Sequence, residues 1–333
     1  MAIGNIGALI VANILYNTAI KRLDLSSNGT SDSGIAVISE WFKKNQTLQE
    51  LDMSRNEIVA EGANKIAEII QVNTTLEKLN FSYCCIPDDG ILTICNCLKS
   101  NKTLKELSLS HIKVYSKGAN KIAEVIHVNT TLEKLDFSFC CIPDDELGMI
   151  YNCLKNNKTL QDFNLSHNET YSKGYNKIAE AMQVNMTLKK LDISFCGIPD
   201  EGIAIICNSL KSNKTLRILN LSHNKIYSKG ANKIAEVIQV NTTLKKLDIS
   251  YCCILDDEIV TISNYVKKNN ALQELDMSHN KICIEGARKI AEVIRVNVTL
   301  KELNVSYCNI PDDGVVVIKE SCKSNRMLRA IVF

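Results

Sequence analysis

The residues of this chain that could carry chemistry are its cysteines and histidines. There are 14 cysteines and five histidines in 333 residues. Zinc sites pair cysteines about two to four residues apart, whereas Cys84-Cys85, Cys140-Cys141 and Cys252-Cys253 are directly adjacent. We therefore expect no structural metal. Most thiols fall at apolar positions, where free cysteine acts as a small hydrophobe, and this favours a reducing compartment, cytosolic or nuclear, of which we predict the cytoplasm.

Catalytic motifs are missing from the sequence. It has no glycine-rich phosphate loop, no Gly-X-Ser-X-Gly, no His-Glu-X-X-His and no coherent set of paired carboxylates. The nearest approach to a nucleophile and base is His111 or His167 beside Cys140. The pattern of the chain directs these histidines to solvent and the cysteine into the core. We therefore predict a protein that is not an enzyme and binds no cofactor.

Four of the five histidines occupy one position of a 28-residue period, where they alternate with Tyr or Phe. Large aromatic side chains at exposed positions are typical of binding hot spots. Two interpretations stay open: the rings only stack on each other as cross-strand pairs, or the stripe also contacts a partner. After Ser27 and Arg55, the column contains Tyr83, His111, Phe139, His167, Phe195, His223, Tyr251, His279 and Tyr307.

A second candidate surface is basic. Three successive copies carry Lys189, Lys190, Arg217, Lys245 and Lys246 at the two variable positions ahead of each predicted strand. These residues predict an acidic partner surface, unless the neighbouring Asp192 and Asp248 neutralise them as weak surface pairs. The net charge of the chain is only +2, so we expect no nucleic acid partner and no attraction to an anionic membrane.

The elements that position these residues repeat every 28 residues. Alternating apolar positions, such as Leu51 and Met53, predict a short half-buried strand in each copy. Apolar residues at helical spacing, such as Ala63, Ile66 and Ile70, predict a helix after it. Asn73 and its equivalents end each helix, where we expect the left-handed cap conformation that asparagine tolerates.

One strand and one helix cannot bury an apolar face alone, so the copies must stack. Parallel strands lie about 4.8 Å apart and packed helices about 8–10 Å apart, so the stack bends with the sheet inside. We predict an α/β fold, a right-handed βα solenoid with helices on the convex face. Residues 1–333 form one domain: an N-terminal helix over 1–19, eleven repeats over 20–327 and a truncated strand over 328–333.

Several columns are expected to be structural. Asp52 and its equivalents, and the serines from Ser26 to Ser306, form a polar ladder on the outward strand positions. Asn56 and its equivalents point inward and bond the loop of the next copy, and cysteines such as Cys84 substitute as weak donors. Ile112 offers no donor there, so we expect a local rearrangement of its turn.

The sequence Leu-Asp-Met-Ser-Arg-Asn-Glu-Ile from Leu51, and Leu-Asn-Leu-Ser-His-Asn-Lys-Ile from Leu219 with Gly230-Ala231 after it, resemble the leucine-rich repeat of ribonuclease inhibitor. The resemblance covers essentially the whole chain. It implies a module that binds a protein on its concave face, as in the repeat domains of NOD-like receptors in innate immunity. Two alternatives stay open: a GTPase-activating protein of the Ran type, and a scaffold or designed array without a natural ligand. The resemblance also implies that oxidation of the thiols destroys the solenoid.

Both ends of the chain interrupt a repeat without a polar capping repeat. We therefore expect missing domains, self-association or a covering partner at these ends. The apolar run from Ala2 to Tyr16 lacks the basic start of a signal peptide and is short for a membrane span. We predict no membrane insertion.

Overall fold

The computed structural model describes Gly4, Asn5, Gly7, Ile10 and residues 19–333. Apart from those four positions and Ala19, the helix predicted over residues 1–19 lies outside the described residues. The chain divides into two compact units, Met1–Asn168 and Glu169–Phe333. Each unit is described by itself, and one continuous domain over 1–333 stays a prediction.

The first unit alternates short strands with helices. Its helices are α1 (Asp32–Lys44), α2 (Ala60–Val72), α3 (Asp88–Leu98), α4 (Ser116–Val128) and α5 (Asp144–Leu154). Its strands are β1 (Arg22–Asp24), β2 (Glu50–Asp52), β3 (Lys78–Asn80), β4 (Glu106–Ser108), β5 (Lys134–Asp136) and β6 (Asp162–Asn164).

The second unit repeats the same alternation. Its helices are α6 (Ser172–Val184), α7 (Asp200–Leu210), α8 (Ser228–Val240), α9 (Asp256–Val266), α10 (Ile284–Val296) and α11 (Asp312–Cys322). Its strands are β7 (Lys190–Asp192), β8 (Ile218–Asn220), β9 (Lys246–Asp248), β10 (Glu274–Asp276), β11 (Glu302–Asn304) and β12 (Ala330–Val332).

Within each unit every strand pairs in parallel with the next strand along the chain. The register is one repeat, so Leu51 pairs with Leu79 in the first unit and Leu219 with Leu247 in the second. The predicted 28-residue period is confirmed, and each unit is a leucine-rich-repeat βα solenoid. Each strand has three residues, and in most copies the chain turns directly after the Asp or Asn that ends the strand, although β4 ends at Ser108 and β12 at Val332.

The core lies between the strand layer and the helix layer of each unit. The predicted inward strand residues Leu51 and Met53 are buried, as are Ala63, Ile66 and Ile70 on helix α2. Among the described elements of each unit, helices pack on the helices of neighbouring repeats. The apolar face of one copy is therefore covered by adjacent copies, as the stacking argument predicted.

The prediction of left-handed asparagine caps is wrong. Asn73 is extended, with φ −76° and ψ 133°. Its Nδ2 donates to the Phe42 carbonyl at 2.8 Å, and its Oδ1 accepts from the Leu76 backbone at 2.8 Å. The extended conformation directs the chain toward the next strand, while the side chain closes the turn and ties it to the preceding repeat.

The inward asparagines bond the preceding repeat and not the following one. Asn56 Nδ2 donates to the Leu25 carbonyl at 2.9 Å, and its Oδ1 accepts from the Thr30 backbone at 2.9 Å. The Cys84 thiol replaces this donor, at 3.4 Å from the Met53 carbonyl. The predicted direction was therefore wrong, whereas the role of cysteine as a substitute donor is confirmed.

The turn at Ile112 changes less than expected. His111, just before it, keeps the same left-handed backbone as its equivalents, with φ 59°. The backbone N–H of Cys84, opposite Ile112, donates to Phe81 in its own turn at 3.2 Å. In another copy the equivalent N–H of Cys252 donates to the Asn280 side chain at 3.1 Å. Asn280 also accepts from the Ile254 backbone at 3.0 Å and donates to the Ile249 carbonyl at 2.9 Å, and Ile112 can make neither contact. The turn therefore loses these side-chain hydrogen bonds but keeps its backbone conformation.

A column of aspartates that the sequence interpretation missed caps the helices. The residue before helix α4, Tyr115, makes no side-chain cap. Instead, Asp88 in the preceding repeat accepts from the backbone N–H of Tyr115 at 2.8 Å and of Gly118 at 3.1 Å. Asp32, Asp200 and Asp256 accept in the same way from the next repeat. A carboxylate at a helix start also interacts favourably with the helix dipole.

Candidate functional site

The strands end in a turn that the side chains of Asp, Asn and Ser build. The Asn80 side chain accepts from the Ser82 backbone at 3.0 Å and from its hydroxyl at 2.7 Å. Neighbouring copies are joined, since Asn80 Nδ2 donates to Asp52 Oδ2 at 2.9 Å. Ser82 is only 7% exposed. The Asp/Asn and Ser columns are structural as predicted, but the serines are buried in the turn and not outward on the sheet face.

The residue after each serine has a left-handed backbone. In the column from Ser27 to Tyr307, φ lies between 53° and 60°. For a bulky L-residue this conformation costs about 1–2 kcal/mol relative to the right-handed region. The sequence interpretation did not assign this conformation to the column. The frequent histidines were a signal, because His is one of the residue types enriched there.

The left-handed turn is fixed by backbone hydrogen bonds to the next repeat. The N–H of Tyr83 donates to the Ser110 carbonyl at 2.9 Å, and that of Tyr251 donates to Ser278 at 3.0 Å. The strand ladder thus continues past the strand end in each unit. Because the turn is held identically in successive copies, their side chains stand beside each other at one edge of the strands.

These side chains form what we call the aromatic ladder, the stacked Tyr, Phe and His rings of the column. In the first unit the ring centroids of Tyr83 and His111 are 3.7 Å apart, those of His111 and Phe139 4.0 Å, and those of Phe139 and His167 3.5 Å. The ring planes differ by 15–17°. Arg55 covers the outer face of Tyr83, with its guanidinium carbon 4.3 Å from the ring centroid.

The aromatic ladder of the second unit has five rings. Its centroid distances are 3.5 Å for Phe195–His223, 4.1 Å for His223–Tyr251, 3.7 Å for Tyr251–His279 and 4.4 Å for His279–Tyr307. Phe195 and Tyr251 are 41% and 44% exposed. Stacking is therefore confirmed. It occupies the ring faces and leaves the ring edges open, and a partner contact stays a prediction.

The histidines of the ladder are half-buried between the rings of their neighbours. This burial lowers the pKa of His111 and of His223, because the charged imidazolium loses water. Asp248 opposes the effect at His223, and His279 adds to it. Burial also raises the pKa of Asp248 itself, whose carboxylate is held by Ser250. The neutral imidazole is therefore the favoured form of these two rings.

The predicted basic positions lie together in the second unit. Lys190, Ile218 and Lys246 are aligned across β7, β8 and β9. Lys189 and Arg217 are exposed. The Lys246 ammonium pairs with Glu274 of the next repeat at 2.8 Å, and this contact raises the pKa of Lys246. At Lys246 the partly neutralising carboxylate is therefore Glu274, whereas Asp248 is used by its own turn.

The described residues hold no group of three or more His, Cys, Asp or Glu side chains that could bind a metal. The thiol of Cys140 is buried and donates to the Leu109 carbonyl at 3.3 Å, while His111 is stacked in the aromatic ladder. The Cys140 thiol is therefore bonded to a backbone carbonyl, and the faces of the His111 ring are occupied by Tyr83 and Phe139. Among the described helices, none combines the length and apolar character needed to cross a membrane.

Comparisons with known proteins agree with this architecture. A model described as the PRAME C-terminal domain matches residues 5–183, and a leucine-rich-repeat model matches residues 184–207, 212–235, 240–261, 268–291 and 296–319. No curated protein sequence matches the chain.

Two solved structures show the same fold. A chain of the yeast Rad7 and Elc1 complex is 16% identical, with a TM-score of 0.62, and the match covers 97% of this chain and 79% of that one. An internalin from Listeria monocytogenes is also 16% identical, with a TM-score of 0.52, and the match covers 98% and 94%. At this identity the likeness concerns the fold alone. Because the PRAME C-terminal domain model matches more than half of its residues, this leucine-rich-repeat chain belongs to that family.

Proposed function

We propose that this chain is a protein-interaction module whose partner contacts the aromatic ladder. The observation that carries the proposal is that bulky aromatic rings occupy left-handed backbone positions and keep their edges exposed. Phe139, Phe195 and Tyr251 have φ values of 57°, 54° and 53°, a conformation that Asn or Gly adopts at lower cost. Strained residues of this kind concentrate at functional sites.

Stacking of the rings on each other is compatible with partner binding and supports it. Each ring contact stabilises the fold by about 0.5–1.5 kcal/mol, and this offsets part of the energetic cost of the left-handed conformation. It also holds the rings in one orientation, so that little conformational entropy is lost when a partner binds. Tyr307, at the end of the ladder in the second unit, is 75% exposed. The ladder thus provides a rigid row of amphipathic rings, which is typical of binding hot spots.

The basic positions of the second unit extend the proposed surface. Lys189, Arg217 and Lys246 are exposed at or before the strands whose ends carry the ladder. The pair between Lys246 and Glu274 is a surface contact, and such pairs contribute little. A carboxylate of a partner therefore readily takes the place of Glu274 on Lys246. An acidic protein surface on the strand side fits this arrangement.

Affinity capture from a native lysate with mass spectrometry tests the proposal. The ladder variant is Phe195→Asn, Tyr251→Asn and Tyr307→Asn, because asparagine tolerates the left-handed backbone. The control is Tyr227→Ala, an exposed tyrosine before helix α8 outside the ladder. We expect partners that the wild type and the control retain and the ladder variant loses. Identical recovery with all three proteins would reject the ladder as a binding site.

The basic positions are tested separately. The variant Lys190→Glu, Arg217→Glu and Lys246→Glu reverses charge on three successive copies. We expect reduced recovery of the same partners, more strongly at low salt, since exposed charges are screened by salt. Equal recovery would leave the aromatic ladder as the proposed site and remove the basic positions from it.

The alternatives named from the sequence make different predictions. A GTPase-activating module of the Ran type would accelerate single-turnover GTP hydrolysis by a small GTPase at high protein concentration. A scaffold without a natural ligand would recover no partner that depends on the ladder. Ligand sensing of the NOD-like-receptor type, in the cytoplasm, is a finer form of the interaction proposal.

A further inference from the structure

A second row of exposed residues runs beside the aromatic ladder in the second unit. It lies two residues after the ladder in each copy, and it was not among the candidate residues of the sequence analysis. Three successive members are Lys225, Cys253 and Lys281, and all three are exposed. We call them the lysine row.

Backbone hydrogen bonds fix the order of the lysine row. The N–H of Ile226, next to Lys225, donates to the Cys252 carbonyl at 3.0 Å. The N–H of Lys281 donates to the Ile254 carbonyl at 2.9 Å. The two lysines therefore stand on either side of the turn that carries Cys253, one repeat away in each direction.

The positive charge of the lysine row is not neutralised within the described part of the chain. Neither Lys225 nor Lys281 has a carboxylate partner there. Two aspartates that bond the backbone two residues after these lysines are engaged: Asp200 accepts from the Tyr227 backbone at 2.7 Å, and Asp256 accepts from the Cys283 backbone at 2.6 Å. These carboxylates cap helices and cannot turn to the lysines without uncapping them. The two ammonium groups thus remain available for a negative group from outside.

The aromatic ladder beside them favours the same kind of partner. The faces of His223, Tyr251 and His279 are used in stacking, so that only ring edges meet solvent. An aromatic ring carries negative charge density on its face and positive charge at its edge. Exposed edges therefore favour carbonyl and carboxylate oxygens. A single-stranded nucleic acid fits less well, because its bases need free ring faces for stacking.

We propose that this edge of the second unit binds an acidic peptide segment in polyproline II conformation. Two repeats separate Lys225 from Lys281, which corresponds to about 10 Å at the strand spacing of parallel sheets. A polyproline II segment rises about 3.1 Å per residue and has three residues per turn, so residues three positions apart lie on the same side, about 9 Å from each other. The segment therefore presents carboxylates three positions apart to the two lysines, and the residues between them cross Cys253 beside the ring edges. This inference rests on the proposed interaction function and specifies its partner.

Fluorescence anisotropy with labelled peptides tests the spacing. The probes contain two glutamates separated by one, two or four residues in a proline-flanked sequence, and the control probe carries glutamines. We expect the tightest binding for two intervening residues and no measurable binding for the glutamine probe. Binding that is independent of the spacing, absent for all probes, or stronger for a single-stranded oligonucleotide of equal charge would overturn the proposal.

Matched variants locate the site. Lys225→Gln with Lys281→Gln should weaken the best peptide about fivefold to tenfold, as expected for two exposed ion pairs. Lys214→Gln with Lys268→Gln removes the same charge from exposed loops that follow helices α7 and α9, and should leave affinity unchanged. Equal weakening by both pairs would indicate a general charge effect and overturn the assignment.

Cys253 provides a direct readout. Saturating peptide should slow alkylation of Cys253 at least about fivefold, because the bound peptide covers this exposed thiol and reactivity depends on exposure. The exposed Cys141, at the same turn position in the first unit, should react unchanged. Unprotected Cys253 at saturation would overturn the proposal. If no peptide binds but partners captured from the lysate still depend on the aromatic ladder, only this inference is rejected. If no captured partner depends on the ladder, the proposed function is rejected.

Discussion

The Oδ1 atom of Asp200 lies 2.8 Å from the backbone nitrogen of Gly230, in the next copy of the repeat. The same oxygen accepts from the backbone N–H of Tyr227 at 2.7 Å. A Cβ atom on Gly230 would come within 2.5 Å of this oxygen. The glycine therefore makes room for a cap that comes from the preceding repeat. Helix α8 depends on this contact, since Tyr227 before it offers no cap of its own.

We expect Asp200→Ala to lower the free energy of unfolding by about 1 kcal/mol, the usual effect of losing a helix cap. Gly230→Ala should destabilise as well, although alanine favours helices, because its Cβ displaces the carboxylate. Urea denaturation followed by circular dichroism measures both. Glu201→Ala, on the neighbouring exposed side chain, is the control and should change stability little. A stabilising Gly230→Ala would contradict the assigned role of the glycine.

The repeat and its elements could be predicted because they depend on which residues are buried. Leu51 and Leu79 are one period apart in the sequence, and one period is also the register of their strands. The cap from Asp200 could not be predicted in the same way, because it joins a side chain to backbone atoms of another repeat. An aspartate every 56 residues, from Asp32 to Asp312, was the available signal.

The candidate site was predicted in part. Stacking of the aromatic ladder followed from the alternation of His with Tyr and Phe, and the structure confirms it. The burial of Ser82 was not predicted, because strand alternation was applied beyond Asn80, where the strand has already ended. From residue type, the sequence analysis predicted a left-handed backbone at Asn73. The structure has it at Tyr83, where the turn after the strand imposes it. Hydrogen bonds of the turn outweigh the residue preference there.

Substitutions at Tyr251 separate backbone strain from stacking. Tyr251→Ala and Tyr251→Asn both remove the ring contacts with His223 and His279. Asparagine tolerates the left-handed φ of 53°, whereas alanine keeps the steric conflict of an L-residue. We expect the asparagine variant to be more stable than the alanine variant by about 0.5–1 kcal/mol in urea denaturation. Equal stability of the two would show that the backbone at this position carries no strain.

Acidification should destabilise the protein through the ladder histidines. Burial lowers the pKa of His223 below its ordinary value of about 6.5, so the unfolded chain binds a proton more readily than the folded one. Stability is then highest above pH 6.5 and falls as the pH drops from there toward the folded pKa. His223→Asn should reduce this slope in urea titrations between pH 7.5 and 5.5.

An opposing effect makes the pH dependence informative. A protonated imidazole between Phe195 and Tyr251 would gain cation–π attraction, which favours the charged form. NMR titration of the His223 ring protons distinguishes the two effects. We expect a pKa below 6.5 because desolvation dominates. A value above 6.5 would show that cation–π attraction prevails and would reverse the predicted sign.

The cysteines should separate into classes by their reactivity. Burial raises the pKa of Cys95, Cys140, Cys207 and Cys252 to about 12, so almost no thiolate forms at neutral pH. The exposed thiols are Cys85, Cys141 and Cys253. We expect rapid alkylation of these three in the native protein, and modification of the buried thiols only as fast as the fold opens. Intact-mass spectrometry over time measures this, and unfolding in urea should expose all 14 thiols. Fast modification of Cys140 without loss of circular dichroism would contradict its place in the core, since its thiol bonds the Leu109 carbonyl of the preceding repeat.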